Sequence, residues 1–154
     1  MLTLAVVSCG KRKIWDINPH AGPTAARDAY QGSPFKVNRE YAEICGDRWV
    51  VLSAKYGFID PDFRIPCNYN VTFDDSSTNP ISIADLVRQA KDMGLNRFDR
   101  VVVLGNRQYS DRVEAALSDI HCEIISPRVG LRTGEANAQV KSLTARCRQK
   151  GIAP

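Results

Sequence analysis

At 154 residues, with 44% apolar and 25% charged side chains, the chain has the size and composition of one globular domain able to bury roughly two thirds of its unfolded surface. It contains no apolar run near the roughly 18 residues of a membrane span, and its composition is not that of a disordered chain. The net charge of +4 suits a polyanionic partner but is too small for a protein that coats DNA.

The chain opens on an apolar run, Leu2 to Val7, with its basic cluster after the run rather than before it. That order is the reverse of a signal peptide, so the segment reads as a first strand and the protein as cytoplasmic. Ser33-Pro34 predicts a helix with Ser33 as cap and proline at its first position, carrying Phe35, Val37, Tyr41 and Ile44. Trp49 to Leu52 predicts a second strand. Gly57 to Pro80 is too long and too rich in Pro, Asp and Asn for an ordinary connection, and reads as a functional loop with one short strand, Asn68 to Phe73.

Ser82 with Asp85 three residues on has the form of a capping box, opening a helix through Leu86, Val87 and Ala90 that ends near Gly94. Arg100 to Leu104 predicts a third strand, and Asn106 caps a helix through Val113 and Leu117. Cys122 to Ile125 predicts the fourth strand. Thr133 caps a last helix with Ala136, Val140, Leu143 and Cys147 on one face and Gly151 as its stop. The strands are β-branched and continuous rather than alternating, as in sheets covered on both faces. Strands alternating with helices then predict a single α/β domain over residues 1–154, Rossmann-like, with a mainly parallel sheet flanked by helices. Such sheets bind ligands at the carboxyl ends of their strands.

Those ends are where polar residues gather. The first strand runs into Ser8-Cys9-Gly10-Lys11-Arg12-Lys13, a glycine turn followed by three cations, suited to a phosphate through backbone N–H groups and charge-assisted bonds. A solvated basic loop around a structural thiol at Cys9 is the plainer reading of the same residues. The second strand ends in Leu52-Ser53-Ala54-Lys55-Tyr56-Gly57, where Lys55 can hold a phosphate and Tyr56 can stack on a base, or where a tight turn simply packs its tyrosine. Asn106 reads as a cap first and a ligand contact second. Arg128 and Arg132 precede the last helix N-terminus, a plausible anion site, with Glu135 as a first-turn carboxylate. His20 and His121 have no partner at useful spacing, and Trp15 and Trp49 read as packing residues.

The five cysteines, Cys9, Cys45, Cys67, Cys122 and Cys147, are scattered and form neither a CxxC nor a Cys/His ligand pair. Neither a metal site nor a disulfide framework is expected from them.

Together the motifs resemble the YaaA-like superfamily, which includes the peroxide-stress proteins and smaller bacterial and phage relatives. Cys9-Gly10-Lys11-Arg12-Lys13 resembles its CxKxK-type signature, and Tyr30 with Ser33-Pro34-Phe35 its Y-x-x-S-x-F segment. Leu52 to Gly57, followed by Pro61, Ile65 and Tyr69, resembles its LSAxYG…P…I…Y block, and Gly130 to Glu135 its closing turn. The resemblance implies a Rossmann-like core tied to nucleic-acid stress responses, DNA binding and, in some members, N-glycosidic chemistry. Asn70 departs from the aspartate often found there, which leaves Asp74 or Asp60 to substitute.

The leading expectation is therefore a hydrolase of the N-glycosidic bond of a nucleotide or of a base in DNA. Such chemistry needs a carboxylate or amide to position water and steady positive charge on the sugar, aromatic groups for the base, and cations for phosphate. The candidates are Tyr56, Asp60, Asn70 and Asp74 as catalytic groups, with Ser8, Cys9, Lys11, Lys13, Ser53, Lys55, Tyr69, Asn106 and Arg132 binding substrate. No cofactor, metal or membrane is implied, and the expected partner is a nucleotide or DNA. The rival reading is a non-catalytic DNA-binding or nucleotide-sensing protein that uses the same cationic turns.

Overall fold

The computed structural model describes residues 1–152. In chain order its elements are β1 (Thr3–Ser8), α1 (Ile14–Ile17), β2 (Thr24–Ala25), α2 (Ala26–Ala29), α3 (Ser33–Cys45), β3 (Arg48–Ser53) and β4 (Gly57–Ile59). There follow β5 (Arg64–Ile65), α4 (Ile83–Asp92), β6 (Arg100–Leu104), α5 (Arg107–Ala116), β7 (Glu123–Ile125) and α6 (Thr133–Ile152).

Successive residues of a strand face opposite sides of the sheet. In β1, Leu4 and Val6 join one core and Ala5 and Val7 the other, and all four are buried. On one side Ala5, Val7, Val51, Val102 and Leu104 pack with Phe35, Tyr41 and Ala42 of α3 and Val140 of α6. On the other, Leu4, Val6, Val50, Leu52, Val101 and Val103 pack with Leu86 and Ala90 of α4 and Val113 and Ala116 of α5. The unbroken apolar runs of the sequence are thus strands sandwiched between two helical layers.

The strand order is β4-β3-β1-β6-β7. β1 runs parallel to β3 and β6, β6 runs parallel to β7, and only the edge strand β4 is antiparallel, so the sheet is mixed but mostly parallel. The chain leaves β1 toward β3 and leaves β6 toward β7. Between β1 and β6 the connections therefore diverge, which opens a crevice at their carboxyl ends.

Gly105 shows how closely the chain approaches itself there. A Cβ at this position would lie 2.9 Å from Ser8 Cβ and 3.0 Å from Tyr109 Cβ.

Several local expectations are met. Ser82 Oγ accepts from the Asp85 N–H at 3.1 Å, Asn106 Oδ1 accepts from the Gln108 N–H at 3.0 Å, and Gly94 takes a left-handed φ of 71° after α4. Others need correction. Gly32, not Ser33, caps α3, and α6 continues through Gly151, which is therefore not its stop. Residues 68–73 form no strand. Their backbone is held instead by side chains: Tyr69 N–H donates to Asn68 Oδ1, Thr72 N–H to Thr78 Oγ1 and Asp74 N–H to Thr72 Oγ1. Local bonds of this kind displace a ladder.

The strands of the long loop lie earlier in it, β4 on the sheet edge and β5 paired with β2. The expectation of no disulfide is also overturned, because Cys45 and Cys147 are bonded across α3 and α6, with Cα atoms 5.7 Å apart. Among the described residues no helix is long and apolar enough to cross a membrane.

Candidate functional site

A cleft of about 580 Å³ occupies the crevice between β1 and β6, within the usual size of small-molecule sites. β1 and its turn contribute Ser8, Cys9, Gly10, Lys11 and Lys13, and the carboxyl end of β6 contributes Asn106 and Tyr109. The irregular loop contributes Tyr69, Asn70, Val71, Thr72, Asp74, Asp75 and Thr78. The loop that replaced the expected strand is thus one wall of the site.

Lys13 is 6% exposed. Its ammonium donates to the Lys11 carbonyl at 3.2 Å and lies 4.5 Å from the centre of the Tyr69 ring. Burial pushes its pKa down, while Cys9 and Asp16 pull it back up. Among the described residues it forms no salt bridge.

Beneath it runs a chain of hydroxyls. Tyr69 Oη stands 2.9 Å from Ser53 Oγ and 2.5 Å from Tyr30 Oη. Ser53 Oγ already accepts from the N–H groups of Lys55 and Tyr56, at 3.2 Å each. Both of its lone pairs are then used, so its own proton goes to Tyr69. Tyr30 is 1% exposed, and Ser53, which also neighbours its hydroxyl, has no lone pair left to accept, so Tyr30 too donates to Tyr69 rather than bury an unmet donor. Tyr69 accepts two bonds, and its own O–H is left for the neighbouring Cys9 thiol or for a group in the cleft.

The thiol also shares a 3.3 Å hydrogen bond with Tyr109 Oη. Burial, reinforced by Cys9, holds Tyr69 and Tyr109 well above the usual tyrosine range, against the bonds from Ser53 and Tyr30 that pull Tyr69 down, and burial with the Tyr69 phenol beside it does the same for Tyr30. All three are neutral donors at any ordinary pH.

Of the residues expected from sequence, the cleft gathers Ser8, Cys9, Lys11, Lys13, Tyr69, Asn70, Asp74 and Asn106. Asp74 Oδ1 accepts from the Gln108 side chain. Ser53 is fully buried and acts through Tyr69.

The remaining four do not line the cleft. The segment Ala54-Lys55-Tyr56 is the three-residue turn of the β3–β4 hairpin, closed by Gly57 at φ 77°. Within it Tyr56 packs edge-on against Tyr69, with ring centres 5.4 Å apart, and Lys55 lies over both rings. The plainer reading of that motif, a turn with a packing tyrosine, is the one observed. Asp60 is an exposed turn residue whose Oδ1 accepts from the Asp62 N–H. Arg132 is exposed ahead of α6, where its carbonyl accepts from the Ala136 N–H.

Tyr109 falls inside the helix that the sequence predicts after Asn106, with nothing to single it out, and Tyr30 stands out only within a family-like segment. Neither carries a local pattern that predicts its hydroxyl partner. Among the described residues no group of His, Cys, Asp or Glu is placed to hold a metal ion.

A sequence profile described as a family of unknown function (DUF6884) matches residues 4–142, and the chain belongs to that family. It is also similar to an uncharacterized protein of Bacillus subtilis (strain 168), YfjM. The two are 37% identical over 119 residues, which cover 77% of this chain and 79% of that protein.

Proposed function

We propose that this chain is a Rossmann-like, nucleotide-handling domain of the YaaA-like type, and that its cleft hydrolyses an N-glycosidic bond. The observation that carries this reading is the meeting, in one cleft at the topological switch point, of a buried cation, a directed phenol donor and solvent-facing carboxylates. In an N-glycosidic hydrolysis the departing base gains electron density and the sugar gains positive charge. Tyr69, its lone pairs engaged by Ser53 and Tyr30, offers its proton toward the base. The carboxylate of Asp74 steadies the sugar cation and orients water, and Lys13 with Lys11 holds a phosphate. Asn70, where the YaaA-like pattern has an aspartate, supplies an amide to the same wall and leaves the charged role to Asp74.

The test is release of free base by purified protein from a panel of nucleotides and of plain and base-modified DNA, with Asp74→Asn and Tyr69→Phe beside wild type. Release that falls at least about 100-fold in Asp74→Asn supports the reading. One observation favours a second reading, a nucleotide-sensing or DNA-binding protein without catalysis: Asp74 already spends one oxygen on Gln108, and no carboxylate of the cleft is buried. Binding that Lys13→Met weakens, with no base released, decides for the sensor.

A further inference from the structure

The cleft holds opposite charges apart. Lys11 and Lys13 come from the turn after β1, and Asp74 and Asp75 come from the loop beyond Tyr69. Among the described residues none of the four pairs with another in a salt bridge. Asp74 engages the protein through Oδ1 alone, on Gln108, and Asp75 likewise through Oδ1, on the N–H and hydroxyl of Ser77. One oxygen of each is left without a protein donor. Lys13 is the costlier feature, because a nine-tenths buried ammonium in no salt bridge, with only the more distant pull of Asp16 and Cys9, weakens the fold unless something else uses it.

A cleft whose cations and carboxylates are not paired with one another matches a ligand that is itself dipolar, with an anion on one part and hydroxyl or amino donors on another. A nucleic-acid strand fits it poorly. A strand would carry several phosphates past Asp74 and Asp75, whereas proteins that follow a strand use a uniformly basic groove and open aromatic faces. Here the Tyr69 ring is capped by the Lys13 ammonium and met edge-on by Tyr56, and the Tyr109 ring is met edge-on by Phe73.

We infer that the cleft takes a free nucleoside monophosphate rather than a base within a polynucleotide. The phosphate meets Lys13 and Lys11, and the sugar hydroxyls donate to Asp74 and Asp75, the pairing by which acidic side chains ordinarily hold a ribose. This inference rests on the nucleotide reading of the site given above, and it narrows that reading from two substrate classes to one.

Calorimetric titration of the full chain with the common nucleoside monophosphates, the matching nucleosides, and single- and double-stranded oligonucleotides tests it, with base release followed in parallel. At least one monophosphate is expected to bind at least about 10-fold more tightly than its nucleoside. Lys13→Met should weaken that monophosphate by about 10- to 100-fold, the effect of losing a charge-assisted contact. Lys11→Met, at an exposed position where folding is not at stake, should weaken it in the same direction, and inorganic phosphate should compete.

Equal affinity for nucleoside and monophosphate overturns the inference, as does tighter binding of an oligonucleotide or no binding of any monophosphate. Base release confined to oligonucleotides sinks this inference and leaves the hydrolase standing. Monophosphate binding without release does the reverse.

Discussion

The hydroxyl of Tyr30 lies 2.5 Å from that of Tyr69, and the order of donors between them determines what the cleft receives. Tyr30 comes from the segment after α2 and Tyr69 from the irregular loop, 39 residues on, so the bond ties that loop to the helical layer. Because Ser53 and Tyr30 both donate, the proton of Tyr69 is left for the Cys9 thiol or for a group in the cleft.

That order predicts unequal costs for removing either hydroxyl. Tyr30→Phe deletes one donor and leaves Tyr69 bonded to Ser53, at a cost of about 1 kcal/mol. Tyr69→Phe leaves two buried donors without an acceptor and costs about 1–3 kcal/mol for each. The double variant should be more stable than the sum of the two costs implies, since Tyr30→Phe removes one of the orphaned donors. Urea denaturation measures all three. A Tyr30→Phe cost equal to that of Tyr69→Phe would reverse the donor order.

The same phenols make stability fall in alkali. Unfolded, each tyrosine ionises near pH 10. Folded, Tyr30, Tyr69 and Tyr109 keep their protons to higher pH because they are buried. Above about pH 10 the folded state therefore binds more protons than the unfolded one. Stability drops by up to about 1.4 kcal/mol per pH unit for each group, and below that pH nothing is lost.

Lys13 has the opposite sign, since its lowered pKa makes it a burden that fades as pH rises toward its unfolded value. The difference between wild type and Tyr30→Phe isolates one phenol. The variant should show a shallower fall between about pH 10 and 11, and parallel curves would contradict the assignment.

Gly105 sets the spacing of the switch point. Alanine there brings a methyl group to 2.9 Å from Ser8 Cβ and 3.0 Å from Tyr109 Cβ, neither of which is the loose end of a flexible chain. We expect Gly105→Ala to cost about 1–3 kcal/mol by overpacking and to displace Tyr109 from Cys9. Adding Ser8→Gly removes one of the two clashes and should recover part of the loss in denaturant midpoint. No recovery would place the strain elsewhere.

How far the sequence disclosed this arrangement follows from which interactions are local. Val101 to Leu104 read as a two-sided strand because every residue is apolar, and Asn106 read as a cap because its bond to the Gln108 N–H spans two residues. Residues 68–73 read as a short strand and are not one, because the side-chain bonds that fold them otherwise have no period in the sequence. Lys55 and Tyr56 had the composition of a ligand site and the geometry of a hairpin turn. Tyr30, Tyr69 and Ser53 meet across long separations that only the finished fold brings together.

Arg128 tests the frame behind the cleft. It is 9% exposed, and its guanidinium donates to Asn38 Oδ1 at 3.0 Å and to Asn137 Oδ1 at 2.8 Å. Asn38 in turn donates to the Leu104 carbonyl at 3.2 Å, at the end of β6. Burial lowers the Arg128 pKa, and two amide oxygens stand in for a carboxylate. Lysine has a single point of donation and cannot span both amides. Arg128→Lys should cost about 1–3 kcal/mol in chemical denaturation, and a neutral result would show the fork to be dispensable.

The cysteines give the last prediction. Cys45 ends α3 and Cys147 lies in α6, 102 residues apart, and the packing of those two helices brings the sulfurs together without any spacing that marks them in sequence. A cross-link over so long a span chiefly restricts the unfolded chain. Reductant should lower the stability of wild type by about 2–4 kcal/mol and leave a Cys45→Ser, Cys147→Ser variant unchanged, since that variant starts at the lower level. Neither cysteine lines the cleft, so any binding there should survive reduction wherever the fold does. Titration of the native protein with a thiol reagent after denaturation checks the premise directly. Three reactive thiols, Cys9, Cys67 and Cys122, are expected, and five would show the bond to be absent and α6 to be held to α3 by packing alone.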